Sequence, residues 1–191
     1  MKKVNLCCCL LIGGQSRRMG QPKHLLKTEG GVSWIENLVS VFTPFVSEVI
    51  ISGNGELPDS LSGLRRAEDV EGAEGPLAGI AGVMKIRPDA DWLIAACDMI
   101  NISPQAITWL IEKAVNHQDY AGILPMNKRT GKLEPLFGYY RAAAYLEIMK
   151  IIEEKTFRVS VLGLSPKFHC PAIPDSLERC WRNVNTPEQL K

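Results

Sequence analysis

The sequence predicts an α/β fold: one three-layer domain over residues 1–191, with a mostly parallel sheet and an antiparallel return strand. Three observations predict it. Short apolar runs alternate along the chain with stretches of helical period. The helical stretches open on a capping residue or on Pro at the first helical position. The apolar runs stop abruptly at Gly, Asn or Asp, so polar residues stand at strand ends, where open α/β sheets bind ligands.

Residues 4–12 form the first apolar run and read as a buried strand. Gly13-Gly14 ends it, and Arg17, Arg18 and Lys23 follow. Residues without Cβ turn sharply and let a ligand reach the main chain. With nearby cations they make a cradle for phosphate oxygens. A strand followed by a solvated basic loop would look the same. The G-x-x-x-x-G-K-S/T phosphate loop is ruled out because Gln21 follows Gly20. The G-x-G-x-x-G fingerprint is ruled out because Gly13 and Gly14 are adjacent.

Ser33 and Glu36 have capping-box spacing, and Ile35, Leu38, Val39 and Phe42 then recur on one face until Pro44. Residues 46–52 are a second buried strand, which makes a parallel crossover unit with the first. Residues 54–75 are polar and carry little period; they include Glu68-Asp69, read as the end of a short strand. Pro76 opens the next helix, with Leu77, Ile80, Ala81 and Met84 facing inward. Residues 92–96 are a third buried strand running straight into Asp98. Ser103-Pro104 starts another helix, with Ile107, Leu110, Ile111 and Ala114 on one face. Residues 120–125 and 133–140 read as an antiparallel pair across a polar turn. Helical stretches follow over 142–153 and 158–164, then a short strand over 168–172. The tail is a loop ending in a capping signature at Thr186-Pro187.

Composition excludes several partners. With 46% hydrophobic and 23% charged residues and a net charge of +1, nothing pulls the chain toward nucleic acid or a membrane surface. No run approaches transmembrane length. Lys2-Lys3 before the first apolar run imitates a leader, but that run lacks a cleavage site and ends in the basic loop. The expected compartment is the cytoplasm. Cys7, Cys8 and Cys9 are consecutive and would alternate faces of a strand, so they cannot share one metal. Cys97, Cys170 and Cys180 are scattered and read as small buried hydrophobes. His24, His117 and His169 show no ligand spacing.

Asp98 is the most informative acid. It follows an apolar strand, opposite the candidate cradle, where a carboxylate can hold Mg²⁺ together with phosphate oxygens. Capping of the next turn is the competing account. Asp91, at the other end of the same strand, offers a matched control position.

Five motifs then carry a resemblance. Leu11-Ile12-Gly13-Gly14-Gln15-Ser16-Arg17-Arg18-Met19-Gly20-Gln21-Pro22-Lys23 is similar to the opening signature of the MobA-like molybdenum cofactor guanylyltransferases, within the nucleotidyltransferase superfamily. Gly75-Pro76-Leu77-Ala78-Gly79, Cys97-Asp98, Glu134-Pro135-Leu136 with Tyr139-Tyr140, and Asn183-Val184-Asn185-Thr186-Pro187 resemble the later motifs, in the family's order. The resemblance implies a Rossmann-like nucleotidyltransferase domain that transfers GMP from GTP to the phosphate of molybdopterin. It implies that Leu11, Ile12, Gly13 and Gly14 line guanine and sugar-phosphate, and that Arg18 and Lys23 hold the triphosphate. It further implies that Ser52 and Asp69 contact the nucleoside, that Asp98 binds Mg²⁺, and that Asn185 lies near metal or pterin phosphate. Gly-Gly at 13–14 implies guanine rather than cytosine. Other molybdenum cofactor biosynthesis or acceptor proteins are implied partners.

Three positions depart from the pattern: Pro22 where Asp is common, Ser52 where Asn is common, and Ile100 where Pro is usual. They bear on nucleotide and acceptor identity. A relative using CTP or another phosphorylated acceptor remains an alternative, as does a nucleotide-binding protein without turnover.

Overall fold

A computed structural model describes residues 5–13 and 22–184. The strands are β1 (Leu6–Leu11), β2 (Glu48–Ser52), β3 (Arg66–Ala67), β4 (Asp91–Ala96), β5 (Gly122–Ile123), β6 (Phe137–Tyr140) and β7 (Phe168–His169). They form one seven-stranded sheet in the order β3-β2-β1-β4-β6-β5-β7. β1 lies parallel to β2 and β4, and β2 lies parallel to β3. β6 is the return strand, antiparallel to both β4 and β5.

The run of cysteines explains why β1 sits at the centre. A central strand packs on both faces and reads as a continuous apolar run. Leu6, Cys8 and Leu10 enter the core on one face, with Ile35 and Leu38 of α1 (Trp34–Phe42) and Ile107 and Leu110 of α3 (Pro104–Asn116). Cys7, Cys9 and Leu11 enter the other, with Leu77, Ile80 and Met84 of α2 (Pro76–Ile86) and Ile148 and Ile152 of α4 (Ala144–Glu153). The period-two alternation thus splits the thiols between two cores and gives the three layers. Burial raises the pKa of Cys8 and Cys9, so both are neutral packing groups.

Local chemistry sets the helix starts. The Ser33 hydroxyl accepts the Glu36 N–H at 3.3 Å, and Glu36 accepts the Ser33 N–H at 2.9 Å, closing the capping box. The Ser33 hydroxyl at 2.6 Å, then the Ser60 hydroxyl at 2.5 Å, then the Ser33 N–H donate to the Glu36 carboxyl and hold it down to about 2. Gly75, with φ of 62°, turns the chain into Pro76 at the first position of α2.

The differences from expectation fall on the late half of the chain. Strand pairing over 120–125 narrows to Gly122–Ile123, and the return strand shortens to Phe137–Tyr140. Pro135 lacks an N–H and interrupts regular pairing, leaving Met126↔Leu133 as an isolated bridge. Residues Val159–Leu164 are 3-10 rather than α-helical. A further 3-10 segment, Asp175–Trp181, has too short an apolar pattern to be read from sequence. Its Trp181 stacks on Phe137 with ring centroids 4.7 Å apart and donates to the Phe137 carbonyl at 2.9 Å. This contact brings the end of the chain back over the sheet.

Candidate nucleotide site

The carboxyl ends of β1, β2 and β4 open into a cavity of about 900 Å³. That lies within the roughly 300–1,000 Å³ common for ligand sites. Three strand ends expected to converge do so: Gly13 and Lys23 from the first loop, Ser52 to Asn54 after β2, and Asp98 after β4 all line it. Leu11, Ile12, Asp69, Gly75 and Gly79 complete much of the wall. Gly14, Arg18 and Asn185 lie outside the described residues.

Parallel pairing fixes the floor. The Ile12 N–H donates to the Ser52 carbonyl at 2.9 Å, and the Cys97 N–H donates to the Leu11 carbonyl at 3.0 Å. These main-chain groups of Leu11 and Ile12 are therefore spent inside the sheet, leaving the pair as wall. Ser52 is buried, and its hydroxyl donates to Asp69 Oδ1 at 3.5 Å. Gly79, one turn into α2, faces that hydroxyl. A Cβ at position 79 would overlap Ser52 Oγ. Here the small residue serves close approach between α2 and the end of β2.

Lys23 Nζ donates to Asp98 Oδ2 at 2.9 Å, and both side chains are largely buried. The other oxygen, Asp98 Oδ1, is buried and has no hydrogen-bond partner among the described residues. A buried carboxylate oxygen is costly to leave unsatisfied, and such an atom at a cavity wall suits a cation. No group of three or more His, Cys, Asp or Glu is gathered for a metal among the described residues. A Mg²⁺ ion here would therefore draw on Asp98 and on oxygens of a phosphorylated ligand, a donor set that this ion accepts. The neighbouring Cys97 adds no thiolate, because burial, then the charge of Asp98, push its thiol up to about 12.

The last described residues reach the same place. The Val184 N–H donates to the Asp98 carbonyl at 2.9 Å, and Asn183 lines the cavity. Two contributors were not legible as such. His24 was read only for ligand spacing, yet it is buried and lines the cavity. Its position directly after Lys23 was the available signal. Arg66 does not line the cavity but donates to the carbonyl of Gly55, which does; it sits on β3, whose two residues carry no strand period.

A lysine–carboxylate ion pair at the carboxyl edge of the sheet, beside a nucleotide-sized cavity, is an arrangement that suits nucleotidyl transfer. The family model of the MobA-like NTP transferase domain matches residues 8–162, and the chain belongs to that family. Two curated relatives bear the description probable molybdenum cofactor guanylyltransferase. The one from Carboxydothermus hydrogenoformans is 33% identical, with 96% of this chain and 92% of the relative covered. The one from Pelotomaculum thermopropionicum is 31% identical, with 95% and 88% covered. Among solved structures, molybdopterin-guanine dinucleotide biosynthesis protein A from Archaeoglobus fulgidus superposes with a TM-score of 0.78 at 22% identity, covering 96% of this chain and 94% of that one. A cytidylyltransferase from Thermus thermophilus, acting on 2-C-methyl-D-erythritol 4-phosphate by its description, reaches 0.65 at 15%, covering 95% and 94%. The fold is thus common to proteins that use different bases. No helix among the described residues is long and apolar enough to cross a membrane.

Proposed function

We propose that the chain, acting as one domain, transfers GMP from GTP to the phosphate of molybdopterin. The products are molybdopterin guanine dinucleotide and pyrophosphate. The observation that carries this reading is Asp98 with its unpartnered buried oxygen beside Lys23, in a family whose curated relatives are described as guanylyltransferases. A pterin phosphate oxygen attacks the α-phosphorus in line. The bond from the α-phosphorus to the bridging oxygen of the β-phosphate breaks, and that oxygen leaves with pyrophosphate. Asp98 would hold Mg²⁺, which would supply charge neutralisation on the phosphate oxygens. Lys23, with Arg18, places positive charge on the triphosphate and the departing pyrophosphate. Ser52 and Asp69 orient the nucleoside, and Leu11, Ile12, Gly13 and Gly14 wall it. Positioning and electrostatics carry the rate, since no covalent intermediate on the protein is needed.

GTP should stabilise the protein against heat more than CTP or ATP in the presence of Mg²⁺. A CTP shift equal to or above that of GTP would move the reading to a cytidylyltransferase. Pyrophosphate release from each NTP with molybdopterin present decides between turnover and mere binding.

Lys23→Ala should weaken GTP more than GMP, because Nζ would balance charge that the β- and γ-phosphates add. Calorimetric titration of both nucleotides measures this, with the exposed Lys27→Ala as the reference. Equal losses for GTP and GMP would reduce Lys23 to a partner of Asp98.

A further inference from the structure

His24 follows Lys23 on the short 3-10 helix Lys23–Leu25, and only 3% of it is exposed. Its Nε2 lies 2.7 Å from the Glu56 carbonyl oxygen. A carbonyl only accepts, so Nε2 carries the hydrogen and the tautomer is set. Burial lowers the His24 pKa, the Glu56 carbonyl opposes that, and the charge of Arg66 adds to it. The ring is therefore neutral near pH 7.

The ring also packs on Gly55. A Cβ on Gly55 would stand 2.5 Å from His24 Cε1 and 2.9 Å from Nε2, so only glycine admits the ring. The Arg66 guanidinium also donates to the Gly55 carbonyl. Gly53, with φ of 114°, abuts the end of β1, where a Cβ would stand 3.2 Å from Gly13 N. The turn over residues 53–56 is thus gripped by His24, by Arg66 and by the end of β1. It leads directly from Ser52, and three of its residues line the cavity.

We propose that His24 is a positioning residue: its hydrogen bond to Glu56 and its packing on Gly55 hold the 53–56 turn as the nucleoside wall of the cavity. Because Lys23 is the preceding residue, the same short helix carries the phosphate contact and the buttress of the nucleoside wall. This rests on the nucleotidyl-transfer reading. It goes beyond it by assigning base discrimination to a histidine that touches the turn rather than the reacting atoms. A wall held by one hydrogen bond and one ring should affect nucleoside recognition and leave pyrophosphate binding alone.

The test compares His24→Leu with His24→Gln, whose amide N–H can reach the Glu56 carbonyl in place of Nε2. Affinities for GTP, CTP, ATP and pyrophosphate, each with Mg²⁺, are measured by calorimetry on the full chain. Hydrogen exchange at residues 53–56 is followed without ligand. His24→Leu should lose about tenfold in affinity for the NTP the wild type prefers, as expected for one lost hydrogen bond with its packing. The ratio of preferred to other NTPs should narrow, pyrophosphate affinity should hold within about twofold, and the turn should exchange faster. His24→Gln should recover most of the loss.

An equal loss for pyrophosphate would overturn the inference, since His24 would then act through Lys23. Unchanged NTP affinity, or a Gln variant no better than Leu, would overturn it as well. The wild-type titration separates this from failure of the parent reading. A wild type preferring CTP removes the guanylyl assignment but leaves the His24 comparison intact. A wild type without base preference removes base discrimination altogether, and with it this role for His24.

Discussion

Asp98→Asn is expected to reduce pyrophosphate release about a thousandfold, equivalent to about 4 kcal/mol of transition-state stabilisation. The reason is the asymmetry of its two oxygens. Oδ2 is paired with Lys23, while Oδ1 is buried without a partner among the described residues. Asn preserves the shape but removes the charge that would hold a cation beside phosphate oxygens. It also removes the carboxylate that positions the Lys23 ammonium at 2.9 Å, so part of the loss should appear as weaker triphosphate binding. Folding should persist, because the side chain lies at the sheet rim and its replacement opens no core cavity. The measurement is the rate against Mg²⁺ concentration, with a melting curve for each variant. A wild-type-like rate would remove Asp98 from the reaction. Loss of rate together with loss of melting temperature would assign it to the fold.

Much of this site was legible because strand ends announce themselves. Gly13 after the β1 run, Ser52 at the end of β2 and Asp98 after β4 each follow an uninterrupted apolar stretch, and parallel pairing brings such ends to one edge. The faces of the cysteine run were legible for the same reason, since a strand's alternation is fixed by its backbone. The buttress was not. His24 matters through the Glu56 carbonyl, 32 residues away, and a main-chain acceptor has no sequence signature. The short strands β3, β5 and β7 have two residues each, too few to show a period. Their places are set by long-range bonds, such as the Leu124 N–H to the His169 carbonyl at 2.9 Å.

Asp91 illustrates what side-chain bonding adds to a sequence pattern. As an acid at the opposite end of β4 from Asp98, it was expected to serve as an inert control. Instead it is a structural node. Its Oδ2 accepts the Tyr139 hydroxyl at 2.7 Å and Arg141 Nη1 at 3.2 Å, and Oδ1 accepts the Ala142 N–H at 3.1 Å. Arg141 in turn donates to the Tyr120 carbonyl at 3.0 Å and the Ala114 carbonyl at 2.5 Å. The carboxylate thereby ties β4 to the end of β6 and to the turn entering α4. The Tyr139 phenol is pushed above its ordinary pKa by burial and then by this charge, so it remains a donor.

Asp91→Ala should therefore destabilise the fold by about 3–5 kcal/mol, the cost of breaking a largely buried pair and stranding its arginine. The milder Asp91→Asn should cost about 1.5–3 kcal/mol, the worth of charged hydrogen bonds weakened to neutral ones. Urea unfolding monitored by tryptophan fluorescence measures both. Activity per folded molecule at low temperature should stay near wild type, since Asp91 does not line the cavity. Stability within about 0.5 kcal/mol of wild type for Asp91→Ala, the scatter expected of a neutral surface change, would show the network to be dispensable. The two ends of β4 then separate by bonding alone: the carboxylate with both oxygens satisfied by the fold supports stability, and the one with an oxygen left over supports binding.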